Sequence, residues 1–92
     1  MDHPYYSLPF LTELEMFEAF GRHRSLELAA SEFNVAPDVV RRRIKAIEEE
    51  LGVSLVARFG AGVTLTGPGE DLCRALSEIF RRASDVFGTL RR

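Results

Sequence analysis

Residues 25–66, SLELAASEFNVAPDVVRRRIKAIEEELGVSLVARFGAGVTLT, constrain this chain more than any other stretch. Ser25 suits a helix N-cap, since its hydroxyl can accept from a first-turn N–H. Leu28, Ala29, Ala30 and Phe33 then form an apolar stripe on a short helix. The two alanines are small enough for a second helix to cross closely. Asn34 tolerates the left-handed conformation that ends a helix, and Pro37 suits the first position of the next. Val40, Ile44, Ile47 and Leu51 repeat at helical spacing over about residues 37–51, and Gly52 stops that helix. The pattern predicts two helices joined by a tight turn.

The polar side of the second helix carries a chemical signature. Asp38, Arg41, Arg42, Lys45, Glu48 and Glu49 fall away from the apolar stripe. The bases lie in the N-terminal half and the acids in the C-terminal half, against the helix dipole. A basic N-terminal half in that position does not serve helix stability, so it points to a partner. A helix, a turn and a second helix with a basic outer face match the shape and charge of a DNA major groove. Arg41, Arg42 and Lys45 are the candidate groove-facing residues. Arg43 falls nearer the helix flank, where a backbone phosphate is the expected contact.

The flanking segments complete a small helical unit. Thr12 and Glu15 read as a capping box, opening a helix that buries Leu14, Phe17 and Phe20 and ends near Gly21. Residues 53–59 are too short and too β-branched for a helix; they read as a strand, with Gly60-Ala61-Gly62 as a turn and residues 63–65 as the returning strand. Thr66 can cap a last helix running toward Arg91, with apolar positions Leu72, Leu76, Ile79, Phe80, Ala83, Val86, Phe87 and Leu90. That stripe continues for about five turns, more than a three-helix core covers. A second copy of the chain is its expected partner, in a two-fold dimer.

Composition narrows the alternatives. Ninety-two residues support one modest core, and 46% hydrophobic with 28% charged residues is ordinary for a globular chain. The apolar runs are too short to span a membrane, and MDHPYYSLPF lacks the basic-then-apolar order of a secretory signal. The expected location is the cytoplasm, at the nucleoid. Cys73 has no disulfide partner within the chain and reads as a packed thiol beside Leu72 and Leu76. His3 and His23 are isolated, Glu48-Glu49-Glu50 reads as a solvated helix face, and no nucleophile–base pair or ligand cluster stands out. Neither an enzyme nor a cofactor is expected. The net charge of −2 is unusual for a nucleic-acid binder, but it is segregated. Residues 1–35 hold two basic against six acidic side chains, whereas residues 36–62 and 63–92 each hold five against four. Phosphates would meet the local basic patch.

Taken in combination, Leu14, Phe17, Ser25, Ala29-Ala30, Val40, Ile44, Glu48, Glu50-Leu51-Gly52-Val53, Leu55, Arg58, Leu65-Thr66 and Gly69 resemble a known pattern. It is that of the N-terminal winged helix-turn-helix domain of LysR-type transcriptional regulators of bacteria. The opening LPFLTELEMFEAFGRHRS is similar to the glycine-cleavage-activator branch. The likeness covers residues 8–90. It implies a mainly α fold, with a three-helix core, a two-stranded wing and a long linker helix. It further implies a DNA-binding unit over residues 8–66 and a linker and dimerisation helix over residues 67–92. Double-stranded DNA is the implied ligand, with the second motif helix in the major groove and wing Arg58 at the flanking backbone or minor groove. The DNA-contacting set carried over is Ser25, Pro37, Asp38, Arg41, Arg42, Arg43, Lys45 and Arg58. Leu72, Leu76, Ile79, Phe80, Ala83, Phe87 and Leu90 are the implied homodimer contacts, giving a pseudo-palindromic operator.

Departures from the pattern bear on specificity. Ala36 stands where a Ser or Thr usually caps the recognition helix, Arg41 replaces a frequent serine, and Val56 replaces a bulky Phe. Asp38 can accept from a cytosine amine or hold Arg42 by an i,i+4 pair. Family members normally continue into a two-lobed effector-sensing domain, so no small-molecule effector site is expected within these residues. The chain reads either as an excised part of a longer regulator or as a natural short protein. The alternative to DNA binding is a protein-interaction module that pairs with a full-length regulator through its last helix.

Overall fold

A computed structural model describes residues 4–91. Helix α1 spans Leu11–His23, α2 Leu26–Phe33 and α3 Pro37–Leu51; strands β1 (Val56–Arg58) and β2 (Thr64–Leu65) form an antiparallel hairpin, and α4 spans Gly67–Leu90. Helices α1, α2 and α3 pack on one another, and α4 lies across α1 and β2. Phe17, Phe20, Val40, Ile44, Ile47 and Leu55 are fully enclosed at the centre. The expected architecture, a helical core with a two-stranded wing and a long last helix, is the observed one.

Helix α1 differs from expectation at both ends. Its N-cap is Phe10, whose carbonyl accepts from the Glu13 and Leu14 N–H groups at 3.0 and 3.2 Å. Thr12 is therefore already helical and no capping box forms. At the other end the helix passes through Gly21 to His23, and Arg24 takes the left-handed conformation at φ 55°. Gly21 serves packing instead of termination. A Cβ there would collide with the Sγ of Cys73, so the missing side chain is what lets α4 cross α1 closely.

The α2 stripe is Leu26, Ala29, Ala30 and Phe33, an i, i+3, i+4, i+7 set packed into or against the core. Leu28 lies outside it and is 55% exposed, contrary to the sequence reading. Leu51 is also exposed, because the last turn of α3 runs beyond the edge of the core, while Val40, Ile44 and Ile47 are buried as expected. Ser25 caps α2 by accepting from the Leu28 N–H at 3.1 Å, and Asn34 ends it at φ 56°. Strand β1 is shorter than residues 53–59, and Val56 pairs with Leu65 and Arg58 with Thr64.

Thr66 straps α4 to the segment that enters the wing. Its hydroxyl oxygen accepts from the Gly69 N–H at 3.1 Å and donates to the Ser54 carbonyl at 2.7 Å. Its own N–H reaches the Leu55 carbonyl at 3.0 Å. Gly69 lies so close to that carbonyl that a Cβ would overlap the oxygen. Farther along, Ser77 donates to the Glu18 carboxylate at 2.8 Å, and Arg24 pairs with Glu70 at 2.8 Å. The first half of α4 is thereby fixed to α1 and the wing. Leu76 is buried in the core, and Leu72 and Phe80 pack against it. All three are among the expected homodimer contacts, yet they are already engaged within their own chain.

Candidate nucleic-acid interface

The turn between α2 and α3 fixes how α3 is presented. Val35 donates to the Ala30 carbonyl at 3.1 Å, so the chain reverses tightly after Asn34. Ala36 supplies no side-chain cap, and Pro37 occupies the start of α3, where its missing N–H is harmless. Pro37 and Asp38 are exposed at that end. Asp38 and Arg42 form the i,i+4 pair at 3.3 Å, with both side chains about 70% exposed (71% and 70%). An ion pair that open to solvent contributes little and yields readily to a phosphate or a base edge.

Arg41 and Lys45 occupy the side of α3 that faces the wing. The Arg41 guanidinium carbon is 4.9 Å, and the Lys45 ammonium 5.2 Å, from the ring centre of Phe59. Phe59 in turn lies tilted against Phe20, with centroids 5.6 Å apart. Arg43 projects toward α1, where its guanidinium is 3.8 Å from the Glu13 carboxylate and its side chain is still half exposed. It is on the flank, as expected, with an intramolecular partner that the sequence reading did not foresee. Arg58 ends β1 on the exposed side of the hairpin. Ala61 and Gly62, at φ 37° and 88°, turn the tip. Only Gly62 makes that conformation without strain.

Two features of this surface escaped the sequence reading. Glu48 is not part of a solvated face: its Oε2 accepts from the Leu55 and Val56 N–H groups at 2.7 and 3.0 Å, clamping the wing to α3. The second is an ion-pair network in which His23 meets Glu32 at 2.8 Å beside Glu18 and Arg22. His3 lies outside the described residues. Burial alone would raise the Glu18 carboxyl, but hydrogen bonds from Arg22 and Ser77 hold it below the usual carboxylate value. Hydrogen bonding by Arg22 likewise lowers Glu32, and Arg22 itself is pushed up by both carboxylates. Burial raises the Cys73 thiol, in keeping with a packed side chain. A three-dimensional crossing of α1, α2 and α4 builds this network, and no local spacing announces it.

The candidate dimer residues divide along α4. Leu76, Leu72 and Phe80 are used by the core, whereas Ile79, Phe87 and Leu90 are 59%, 60% and 72% exposed and Ala83 is open. Val86 lies on the same stretch and is 44% exposed.

A family model described as "Bacterial regulatory helix-turn-helix protein, lysR family" matches residues 11–70. The chain belongs to this family. The relatives include the HTH-type transcriptional regulator TrpI of Pseudomonas aeruginosa, 41% identical over 92% of this chain and 29% of its own length. The RuBisCO operon transcriptional regulator of Allochromatium vinosum is 33% identical over 88% of this chain and 28% of its own length. The chain thus spans less than a third of these curated relatives, both named as transcriptional regulators. Among solved structures, a LysR-family regulator from Eggerthella lenta superposes with a TM-score of 0.68 at 30% identity, over 75% of this chain and 99% of that one. A complex of the BenM DNA-binding domain with catB site 1 DNA superposes with a TM-score of 0.78. It is 24% identical and covers 89% of this chain and 92% of that one, a likeness of fold.

Proposed function

We propose that this LysR-family domain binds double-stranded DNA sequence-specifically, with α3 in the major groove and the wing against the flanking backbone or minor groove. The observation that carries the reading is the shared outward surface of α3 and the hairpin. Arg41, Arg42 and Lys45 line one side of the helix, and Arg58 stands at the wing beside it. Arginine forks onto a guanine edge or a phosphate, and lysine meets either as a compact point charge. Asp38 and Pro37 lie at the end of α3 that enters first, and Ser25 sits at the N-terminus of α2, where backbone N–H groups favour a phosphate. Arg43 reaches a phosphate at the flank on releasing Glu13. The name of the BenM complex, a domain of the same fold seen with DNA, supports the same ligand.

The second half of α4 supports a homodimer. Ile79, Ala83, Phe87 and Leu90 form an exposed apolar face that stands clear of the core among the described residues, and an antiparallel pair of such helices would relate two α3 helices by a two-fold axis. Residues 67–92 then act as linker and dimerisation helix, residues 8–66 as the DNA-reading unit, and the operator is a pseudo-palindrome. A DNA ligand assigns the protein to the nucleoid in the cytoplasm. Selection from a random duplex library, followed by binding measured against salt, tests this reading. A recovered two-fold motif bound with a steep salt dependence is the expected result. Recovery of no motif, with equal and weak binding to every duplex, would reject it in favour of a protein-interaction module.

A further inference from the structure

We propose that Phe59 is a positioning residue for the DNA-reading face, holding Arg41 and Lys45 in the orientation in which they meet DNA and so coupling the wing to α3. The inference rests on the DNA-binding reading and deepens it. Phe59 belongs to the wing, in the bend just after β1, yet its ring is anchored on Phe20 of α1 at 5.6 Å. Phe20 is fully buried, so the ring has a rigid seat. Arg41 and Lys45 lie one turn apart on α3, where like charges repel and would otherwise splay. Both cations instead lie within 5.2 Å of the same ring centre. That separation is within the range of cation–π attraction.

The geometry favours DNA contact over sequestration. A guanidinium stacked on an aromatic face keeps its N–H edge free to donate. The Lys45 side chain stays exposed, and Arg41 stays partly so. Restricting these two long side chains before DNA arrives reduces the ordering that binding requires. Arg42 has no such support: its partner Asp38 is as exposed as it is. The three groove-facing bases of α3, Arg41, Arg42 and Lys45, therefore differ in kind, two fixed by the wing and one free to adapt. A wing residue controls the reading helix without touching DNA itself.

Two readouts test this, one of them independent of DNA. In the free wild-type protein, ring current should move the Arg41 and Lys45 side-chain methylene protons upfield, and Phe59→Leu should return them to ordinary positions. On a duplex selected by the wild type, Phe59→Leu should weaken binding roughly fivefold, while Phe59→Tyr, which keeps the aromatic face, should stay within about twofold of wild type. In an Arg41→Ala background the effect of Phe59→Leu should shrink; in an Arg42→Ala background it should persist in full. Unshifted wild-type resonances would overturn the proposal even if the leucine variant failed to fold. So would a folded leucine variant that binds as wild type does, or a tyrosine variant as weak as the leucine one. If the resonances shift but no duplex is bound, the DNA reading falls and the positioning role falls with it, with the stacking itself intact.

Discussion

Glu48 on α3 accepts a hydrogen bond from the backbone N–H of Leu55 at 2.7 Å, across the turn that leads into the wing. The same oxygen takes the Val56 N–H, so one carboxylate satisfies two donors at the start of the hairpin and ties it to α3. A glutamate in a run of three reads from sequence as solvated; here the fold turns it into a structural acceptor. Charge-assisted hydrogen bonds of this type contribute about 1.5–3 kcal/mol each, before allowance for solvent at a half-buried site. Glu48→Ala should lower stability by about 1–3 kcal/mol in denaturant unfolding and Glu48→Gln by less, since the amide oxygen can still accept. Unchanged stability in Glu48→Ala would show that the clamp contributes nothing.

Close approach of α1 and α4 depends on Gly21. Gly21→Ala should destabilise by about 1–3 kcal/mol through overpacking against Cys73, despite alanine's better helix propensity. Adding Cys73→Ala should recover much of that loss, because the colliding sulfur is gone. Gly69→Ala should be worse than Gly21→Ala, since its obstacle is the Leu55 backbone carbonyl and not a side chain. Thermal unfolding of Gly21→Ala, Cys73→Ala, their double variant and Gly69→Ala checks the order, and additivity of Gly21→Ala with Cys73→Ala would count against the contact.

Acidification should loosen the α1–α2–α4 junction. Glu18 and Glu32 both titrate below the ordinary carboxylate value of 4.5, Glu18 against the effect of its burial and Glu32 chiefly through Arg22. With the folded values depressed, their stabilisation is complete above the unfolded value. It disappears as pH falls through the folded values, because the unfolded chain takes up protons first. Melting temperature followed from about pH 6 to 3 should drop in that window, and Glu18→Gln should flatten the drop. An equal slope in the variant would mean that other carboxylates dominate.

Dimerisation is best attacked at Phe87, which is exposed and free of the core, whereas Phe80 is not. Phe87→Glu should leave the melting curve of the dilute protein nearly unchanged and shift sedimentation from dimer to monomer, with affinity for a two-fold duplex falling in step. A wild-type chain that is monomeric at tens of micromolar, free and on DNA, would exclude this interface.

The fold was legible where local rules and tertiary packing agree. Ser25, Asn34, Pro37, Gly52 and Thr66 punctuate the helices as their conformational preferences dictate. The Val40, Ile44 and Ile47 stripe is buried as its spacing implies. Legibility failed where a residue answers to a distant partner. Gly21 looks like a stop but accommodates Cys73; Glu48 looks solvated but holds Leu55; Phe59 looks like a strand residue but seats two cations from α3. Leu28 shows the opposite failure, an apolar residue that falls outside the i, i+3, i+4, i+7 set begun by Leu26 and so faces solvent. The candidate interface was readable as a set of bases on one helix, while the pairing of Arg43 with Glu13 and the stacking on Phe59 needed three dimensions.

The most direct test of the central claim is a residue-by-residue map of the amide spectrum as a selected duplex is titrated in. Shifts concentrated at the N-terminal half of α3, at the N-terminus of α2 and at the wing around Arg58, weakening as salt rises, are the predicted result. Shifts confined to α4, or none at saturating duplex, would contradict it.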